Sequence, residues 1–595
     1  MIINQKDYKQ IALQAKSLIT LSCDRLCTGF YQRIKNGSIL DTTSITYGNY
    51  TIGEFEEDYV IKITCLTGSI DYSVSDYLSS RNEALTWSAK PTAAAFGRGQ
   101  AWFSDLGSMG YSDGVEWTIS KPSNGNYVIP FGDSLTAYMW KWLTPTGNIT
   151  VSNGIATMTV SANTNAVSGT KFRIALSPTA GYNKVHTVIT SLTATSFTFA
   201  APTGAPASET IVNHAVWIDN DTTANASHVN TMRWFSKCRF SIPHNGGVGG
   251  DDSGEALLRL NVDLLDKFPD MALILLGTND ALKSTDGSIT EFVANMTEIY
   301  SKCLAAGIKV DACTIPPFGP TNASAADVNK NRFILAANKW IRDYVNNHAD
   351  MILHDIHAWS LDQASANGNM ISTYTTDGTH FSQTGAWHVG KAMANNYAAV
   401  LGAHPDKLPT SQGDGYTFDT SSKNRWLNHM FQGAGPDATS WSTLFQGTGN
   451  VKTSSVVART VNKDGDTFGN NQKIELDSTA SGSAGTALVI QDATARLVAG
   501  KRYVARAALT ITKGSFTTAM PHIYFAFTES GVARVIRAGM PDVFDTTVND
   551  VVLETPEFIY PSGASVQSFY LKCSTTGSAN DGVIEWGRAY LEQID

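Results

Sequence analysis

Between residues 254 and 401 helical and strand patterns alternate, and that alternation most restricts what this chain can fold into. Gly254 to Phe268 carries apolar residues at helical spacing, and Met271 to Leu276 is an unbroken apolar run of strand length. Ser288-Ile-Thr-Glu291 reads as a capping box that opens a helix to about Ala306. The strand IKVDACTI, a helix over 324–347, the strand MILHD and a helix over 383–401 follow. Apolar strands separated by helices predict a parallel sheet with helices on both faces. Far upstream, Tyr127-Val-Ile-Pro-Phe131 has the same buried-strand character.

Elsewhere the pattern is different. Residues 1 to about 20 read as an amphipathic helix, with Ile3, Ile11, Ala15 and Leu18 on one face, and 45–120 as short alternating strands. Residues 143–227 are Thr/Ser/Ala-rich with period-2 runs such as GIATMTVSA and SFTFAAP. PDKLPTSQGDG, at 405–415, is a linker by composition, and 416–595 returns to strands that suggest a β-sandwich of jelly-roll type. The predicted organisation is therefore multidomain. An N-terminal helix and β-rich attachment region (1–125) precede an α/β unit made of 126–142 and 228–404. A β-rich insertion (143–227) splits that unit, and the linker and C-terminal sandwich follow.

Composition excludes several classes. The net charge of −9 over 595 residues does not favour a nucleic-acid partner. Charged residues make up 16%, against about 25% in ordinary soluble proteins, so the surface leans on Ser, Thr, Asn and Gly. No apolar run approaches the roughly 18 residues of a membrane span. The first residues carry charges through their middle and do not read as a signal peptide. Seven scattered cysteines give neither a disulfide framework nor zinc spacing. Asn462-Lys-Asp464-Gly-Asp466 is too short a match to a calcium loop, so no metal and no cofactor is expected.

Four short motifs carry chemistry. Gly132-Asp133-Ser134-Leu135 follows the strand at 127–131, where a doubly wound sheet binds its ligands. A serine there is commonly a helix N-cap, and it can also be a nucleophile. Asn245-Gly-Gly-Val-Gly-Gly250-Asp251-Asp252 reads as a flexible turn or as a source of unhindered N–H donors. A phosphate cradle is disfavoured, because no Gly-Lys-Ser/Thr follows. Asn279, in Gly277-Thr278-Asn279-Asp280, either closes an Asx-turn or donates its amide to an oxyanion. Asp377-Gly-Thr-His380 spaces a carboxylate and an imidazole so that one can orient the other. His244, His354, His357 and His388 are rivals, but none has an aspartate three residues before it.

Taken together and in this order, the motifs resemble those of the SGNH or GDSL hydrolases. The resemblance covers about residues 126–142 and 228–404 and implies a flavodoxin-like α/β hydrolase fold. It implies a nucleophile at Ser134, a base at His380 oriented by Asp377, and an oxyanion hole from Ser134, Gly250 and Asn279. The chain departs from the family in one respect. Gly250 lies more than a hundred residues after Ser134, where the family usually has a few tens, and the excess corresponds to the stretch 143–227. That insertion could wall the substrate groove or be a passive spacer.

The resemblance implies a carboxylic ester hydrolase working through an acyl-enzyme. Aromatics in the flanking modules (Trp102, Trp117, Trp441, Tyr503, Phe527 and Trp586) can stack on sugars, although core packing is the commoner use. PTAAAFGRGQAWFSDLGSMGYSDGVEW and the insertion look like β modules of bacteriophage tail proteins, and GVIEWGRAYLEQ looks like the last strand of carbohydrate-binding jelly rolls. These likenesses lead to the expectation of a phage tailspike or tail-fibre esterase in the virion tail. It would remove O-acetyl groups from a bacterial surface polysaccharide, form a homotrimer and contact other tail proteins. The alternatives are a secreted bacterial carbohydrate or lipolytic esterase, and a non-catalytic receptor-binding adhesin.

Overall fold

In the computed structural model, residues 1–126 are described only as the backbone of their strands. From 127 to 594 the description omits 162–165, 203, 211–214, 220–226, 268, 321–327, 405–407, 409–424, 426–430, 434–436, 439, 448–449, 459–469, 478–484, 492–496, 515, 530–531 and 577–581. Apart from Leu408, the linker at 405–415 lies outside the described residues, as does the Asn462–Asp466 loop.

The N-terminal region contradicts one expectation. The described residues of 1–20 are strands rather than a helix: Ile2–Asn4, Tyr8–Leu13 and the start of Ser17–Cys23. Tyr8–Leu13 pairs with Tyr59–Thr67, and Ser17–Cys23 pairs with Ser69–Asp76 and Gly48–Ile52, all antiparallel. Ile11/Leu13 and Ile19/Leu21 alternate with period 2. Pairing with strands some fifty residues away prevails over a loose local helical spacing. Two four-stranded sheets and a three-stranded sheet over Arg98–Ser120 make up this region among the described residues.

The α/β part is built on a five-stranded, all-parallel sheet. Its strands are β1 (Val128–Gly132), β2 (Gly246–Gly247), β3 (Met271–Leu275), β4 (Lys309–Cys313) and β5 (Met351–His354), in the order β2-β1-β3-β4-β5. Every residue of β1 and β3 is buried. Successive side chains point to opposite faces, so both faces are covered, which is why these strands read as continuous apolar runs. The helices are α1 (Ser134–Ala137), α2 (His228–Phe235), α3 (Ser253–Asp263), α4 (Thr278–Lys283), α5 (Thr290–Ala305), α6 (Val328–Asn346), α7 (Ile356–Ser360) and α8 (Gln383–Leu401). Val128, Met271, Leu273 and Leu275 share a core with α2 and α8.

A capping box is present, but not where the sequence suggested. Ser288 gives its N–H to Asp286 rather than to Glu291. The reciprocal pair is Asp252 and Glu255, at the start of α3.

Between α1 and α2 the chain forms an eight-stranded antiparallel sheet running from Lys141 to Ile218. Entry and exit strands pair directly, Lys141 opposite Ile218, and Asn230 closes the base by donating to the Met139 carbonyl at 2.9 Å. Phe172, Phe197 and Phe199 centre its own core. The C-terminal part holds two antiparallel sheets over residues 442–593, whose facing sides share one apolar core. Trp234 of α2 and Trp387 of α8 belong to that same core. Arg233–Glu554, Lys237–Asp550 and Lys391–Asp545 pairs, at 2.6–2.8 Å, border the junction.

The proposed sugar-stacking aromatics of this module are core residues. Trp441, Tyr503, Phe527 and Trp586 are all buried; the side chains of Trp102 and Trp117 lie outside the described residues.

Candidate active site

The strand order reverses around β1, and the loops leaving the C-terminal ends of β1, β2 and β3 emerge at one edge of the sheet, where doubly wound sheets bind their ligands. Ser134 follows β1, Gly250 follows β2 and Asn279 follows β3. Asp377 and His380 come from the turn that precedes α8.

Side chains then close the chemistry. Ser134 Oγ donates to His380 Nε2 at 2.8 Å, and His380 Nδ1 donates to Asp377 Oδ2 at 2.6 Å. A carboxylate only accepts, so the Nδ1–H tautomer is required and Nε2 is left free to take the serine proton. Asp377 Oδ1 also accepts from the N–H groups of Thr379 and His380, at 2.9 and 2.7 Å. Partial burial pushes its carboxyl up, but these hydrogen bonds outweigh that and hold it below the usual carboxylate range. Thr375 Oγ1 donates to the His380 carbonyl and accepts from Gly378 N–H, both at 2.8 Å, which fixes the turn. Among the rivals, His354 sits beneath Tyr397, His388 stacks on Tyr374, and His244 and His357 are buried. Ser134 reaches none of them.

The three candidate oxyanion donors follow the C-terminal ends of adjacent strands. Ser134 N–H is the first of α1, where no intrahelical acceptor exists. Gly250 has φ +90°, and the space where its Cβ would stand is open. Asn279 gives one amide N–H to the Asp251 carbonyl at 2.9 Å, leaving the second for a ligand. Gly277, which places Asn279, has φ +116°, and a Cβ there would lie 2.4 Å from Ile315.

Several residues that hold this site carried no sequence signal of their own. Asn245 is fully buried, donates to the Ala137 carbonyl and accepts from Gly247 N–H, both at 2.9 Å, so it ties the glycine loop to α1. Trp217, from the insertion, is buried with its Cζ2 3.8 Å from the Cβ position of Gly249, itself 3.7 Å from Ser134 Cβ. Trp142 packs edge-on against Trp217 at 5.0 Å and is 47% exposed. Both lie on neighbouring strands of an inserted sheet, so local patterning could not place Trp217 beside the glycine loop.

Asp133 N-caps α1 by accepting from Leu135 N–H at 2.9 Å. Complete burial raises its carboxyl to about 7, and the neighbouring Asp280 and Asp251 add to the rise. Folded Asp133 therefore keeps a proton that the unfolded chain has lost above about pH 4, so its contribution to stability falls as pH rises from about 4 to 7 and is level beyond. Asp133→Asn keeps an N-cap acceptor and removes the titration. The variant is expected to melt near wild type at pH 4 and above it at pH 8, by up to roughly 4 kcal/mol of relative stability. Parallel melting curves across that pH range would refute the assignment.

Residues 231–388 match the GDSL-like lipase/acylhydrolase family. The match contains Gly250, Asn279, Asp377 and His380; the GDSL segment with Ser134 lies upstream of the inserted sheet and outside the matched span. Over the matched residues the α/β part is thus similar to the GDSL-like hydrolases; it has a parallel sheet and is accompanied by further β-rich regions. Solved structures similar to it include a GDSL-like lipase from Bacteroides thetaiotaomicron VPI-5482, 20% identical over 26% of this chain and 74% of its own, with a TM-score of 0.24. The acetyl xylan esterase AlAXEase is 23% identical over 30% of this chain and 93% of its own, with a TM-score of 0.25. The psychrotrophic esterase EstA from Pseudoalteromonas sp. is 21% identical over 27% and 78%, with a TM-score of 0.21. No curated protein matches the chain.

Proposed function

We propose that the protein is a serine esterase that removes O-acetyl groups from a bacterial surface polysaccharide, as part of a phage tailspike. The hydrogen-bonded series Ser134–His380–Asp377, open at the sheet edge, carries the esterase reading. His380 Nε2 takes the Ser134 proton as Oγ attacks the ester carbonyl, and the oxyanion forms beside Ser134 N–H, Gly250 N–H and the Asn279 amide. Collapse breaks the bond to the sugar oxygen, which receives the proton from His380. Water, deprotonated by the same imidazole, then releases acetate and restores Ser134. Asp377 keeps the imidazole in its tautomer throughout and stabilises the imidazolium.

The carbohydrate reading draws on Trp142. Its half-exposed indole packs edge-on against Trp217, whose own ring edge lies beside Gly249 and, through it, Ser134; a sugar of the polymer can stack on the open face. The tailspike setting draws on the β-rich, charge-poor regions that precede, interrupt and follow the hydrolase in sequence. Treating acetylated capsule or O-antigen with the protein should remove acetyl methyl signals from its NMR spectrum and release free acetate. Unchanged polymer with cleavage of long acyl esters would favour a lipolytic enzyme; binding without release of any acyl group would favour an adhesin. Trp142→Ala is expected to raise KM for the polymer about tenfold, the equivalent of roughly 50 Å² of lost apolar contact, and to leave p-nitrophenyl acetate hydrolysis unchanged. Equal kinetics on the polymer would remove Trp142 from the binding site.

A further inference from the structure

The inserted sheet sends one charged side chain into the hydrolase. Arg173, on the strand Lys171–Ala175, is 1% exposed. It pairs in bidentate fashion with Asp263, Nη1 to Oδ1 at 3.0 Å and Nη2 to Oδ2 at 2.6 Å, and Nη1 also donates to the Asn245 carbonyl at 3.1 Å. Asp263 ends α3, where the helix dipole is unfavourable to a carboxylate. It is buried, and a second guanidinium, Arg259, reaches Oδ2 at 3.1 Å.

Arg259 is the junction of the site's loops. Its Nη2 donates to the Gly132 carbonyl at 2.7 Å, two residues before the nucleophile. Its Nη1 donates to the Gly246 carbonyl at 2.6 Å, and its Nε to Asp251 Oδ2 at 2.5 Å, next to Gly250. The guanidinium also lies over the Phe131 ring, 4.6 Å from its centroid. Asp251 in turn accepts the Asn279 amide through its carbonyl. One planar fork thus connects the segments that carry Ser134 and Gly250, with Asn279 attached one step away. Arg173 and Asp263 hold that fork from the insertion.

We propose that Arg259 is a positioning residue for the oxyanion hole, and that the insertion, through Arg173 and Asp263, holds it in register. The insertion is then part of the catalytic apparatus rather than a spacer. The inference rests on the serine-esterase reading. A donor shifted by about 1 Å is worth about a hundredfold in rate, whereas ground-state binding of a small ester is untouched, so the signature is in kcat.

Arg259→Lys keeps the charge and loses the fork. It is expected to lower kcat on p-nitrophenyl acetate about 30- to 100-fold with KM within twofold. Affinity for a tetrahedral boronate or phosphonate analogue should weaken in parallel with kcat/KM, which a merely structural role would not produce. The double variant Arg173→Met/Asp263→Leu replaces the buried pair by apolar groups, an exchange that is often neutral for stability. It is expected to melt like wild type and to lose about tenfold in kcat, with the same loss of analogue affinity. Wild-type kcat and analogue affinity in either folded variant would overturn the proposal. If wild type and Ser134→Ala hydrolyse the ester equally, the esterase reading itself fails, an outcome separate from failure of the positioning role.

Discussion

Ser134→Ala is expected to lower kcat for ester hydrolysis by about 10⁴- to 10⁶-fold while leaving the fold in place. The change removes a single oxygen. Ser134 is the first residue of a short helix whose N-cap, Asp133, stays intact, and alanine is well tolerated in a helix. The lost hydrogen bond to His380 is worth about 1 kcal/mol, so the melting temperature should barely move. What disappears is the bond to the acyl group. The backbone N–H groups and the Asn279 amide remain and would still polarise a carbonyl, which accounts for a residual rate above that of water. Initial rates with p-nitrophenyl acetate and acetate release from acetylated polymer measure the effect. A folded variant that keeps more than a few per cent of wild-type kcat would mean that Ser134 is not the nucleophile.

Gly132→Ala should be nearly as severe for a different reason. A Cβ at this position would lie 2.2 Å from the Leu275 carbonyl oxygen and 2.4 Å from Thr136 Oγ1. Leu275 is the residue of β3 paired with Gly132. The clash is with backbone, and a rotamer change cannot relieve it. Either β1 and β3 separate or the segment leading into Ser134 bends away. Because Ser134 follows β1 and Asn279 follows β3, both adjustments widen the gap between the Ser134 hydroxyl and the Asn279 amide. Expected losses are roughly 3 kcal/mol of stability and at least a hundredfold in kcat, read from thermal melts and from kinetics on the soluble fraction. A variant with wild-type melting and turnover would show that the two strands tolerate a wider spacing than the structure implies.

The parts legible from sequence share a physical property: their signal is local. β1 and β3 announce themselves because burial on both faces demands unbroken apolar runs. Ser134, Gly250, Asn279, Asp377 and His380 stand out in the sequence because each sits in a short motif at a strand end or before a helix, and the structure joins Ser134, His380 and Asp377 by hydrogen bonds. The N-terminal strands were misread because Ile3, Ile11, Ala15 and Leu18 fit a loose helical spacing, while the pairing that decides their state comes from residues 48–76. Arg173 and Arg259 were silent for a related reason. Arg173 meets a carboxylate ninety residues away, and Arg259 reaches a carbonyl 127 residues upstream; nothing in the residues beside them foretells either partner. The aromatics Trp441, Tyr503, Phe527 and Trp586 are visible in any composition count, but only packing distinguishes a core ring from a Trp142 left half open.

The sandwich core that takes in Trp234 and Trp387 has an evolutionary consequence. Modular proteins commonly exchange parts by recombination at linkers, and the stretch after His404 looks like such a joint in sequence. Cutting there would leave two tryptophans without the apolar groups that cover them, and would expose the Arg233, Lys237 and Lys391 ion pairs on one side only. A new C-terminal module could replace this one only if it brought a surface matched to α2 and α8. The α/β part and its neighbour are therefore expected to be inherited as a pair, diverging together at their shared face.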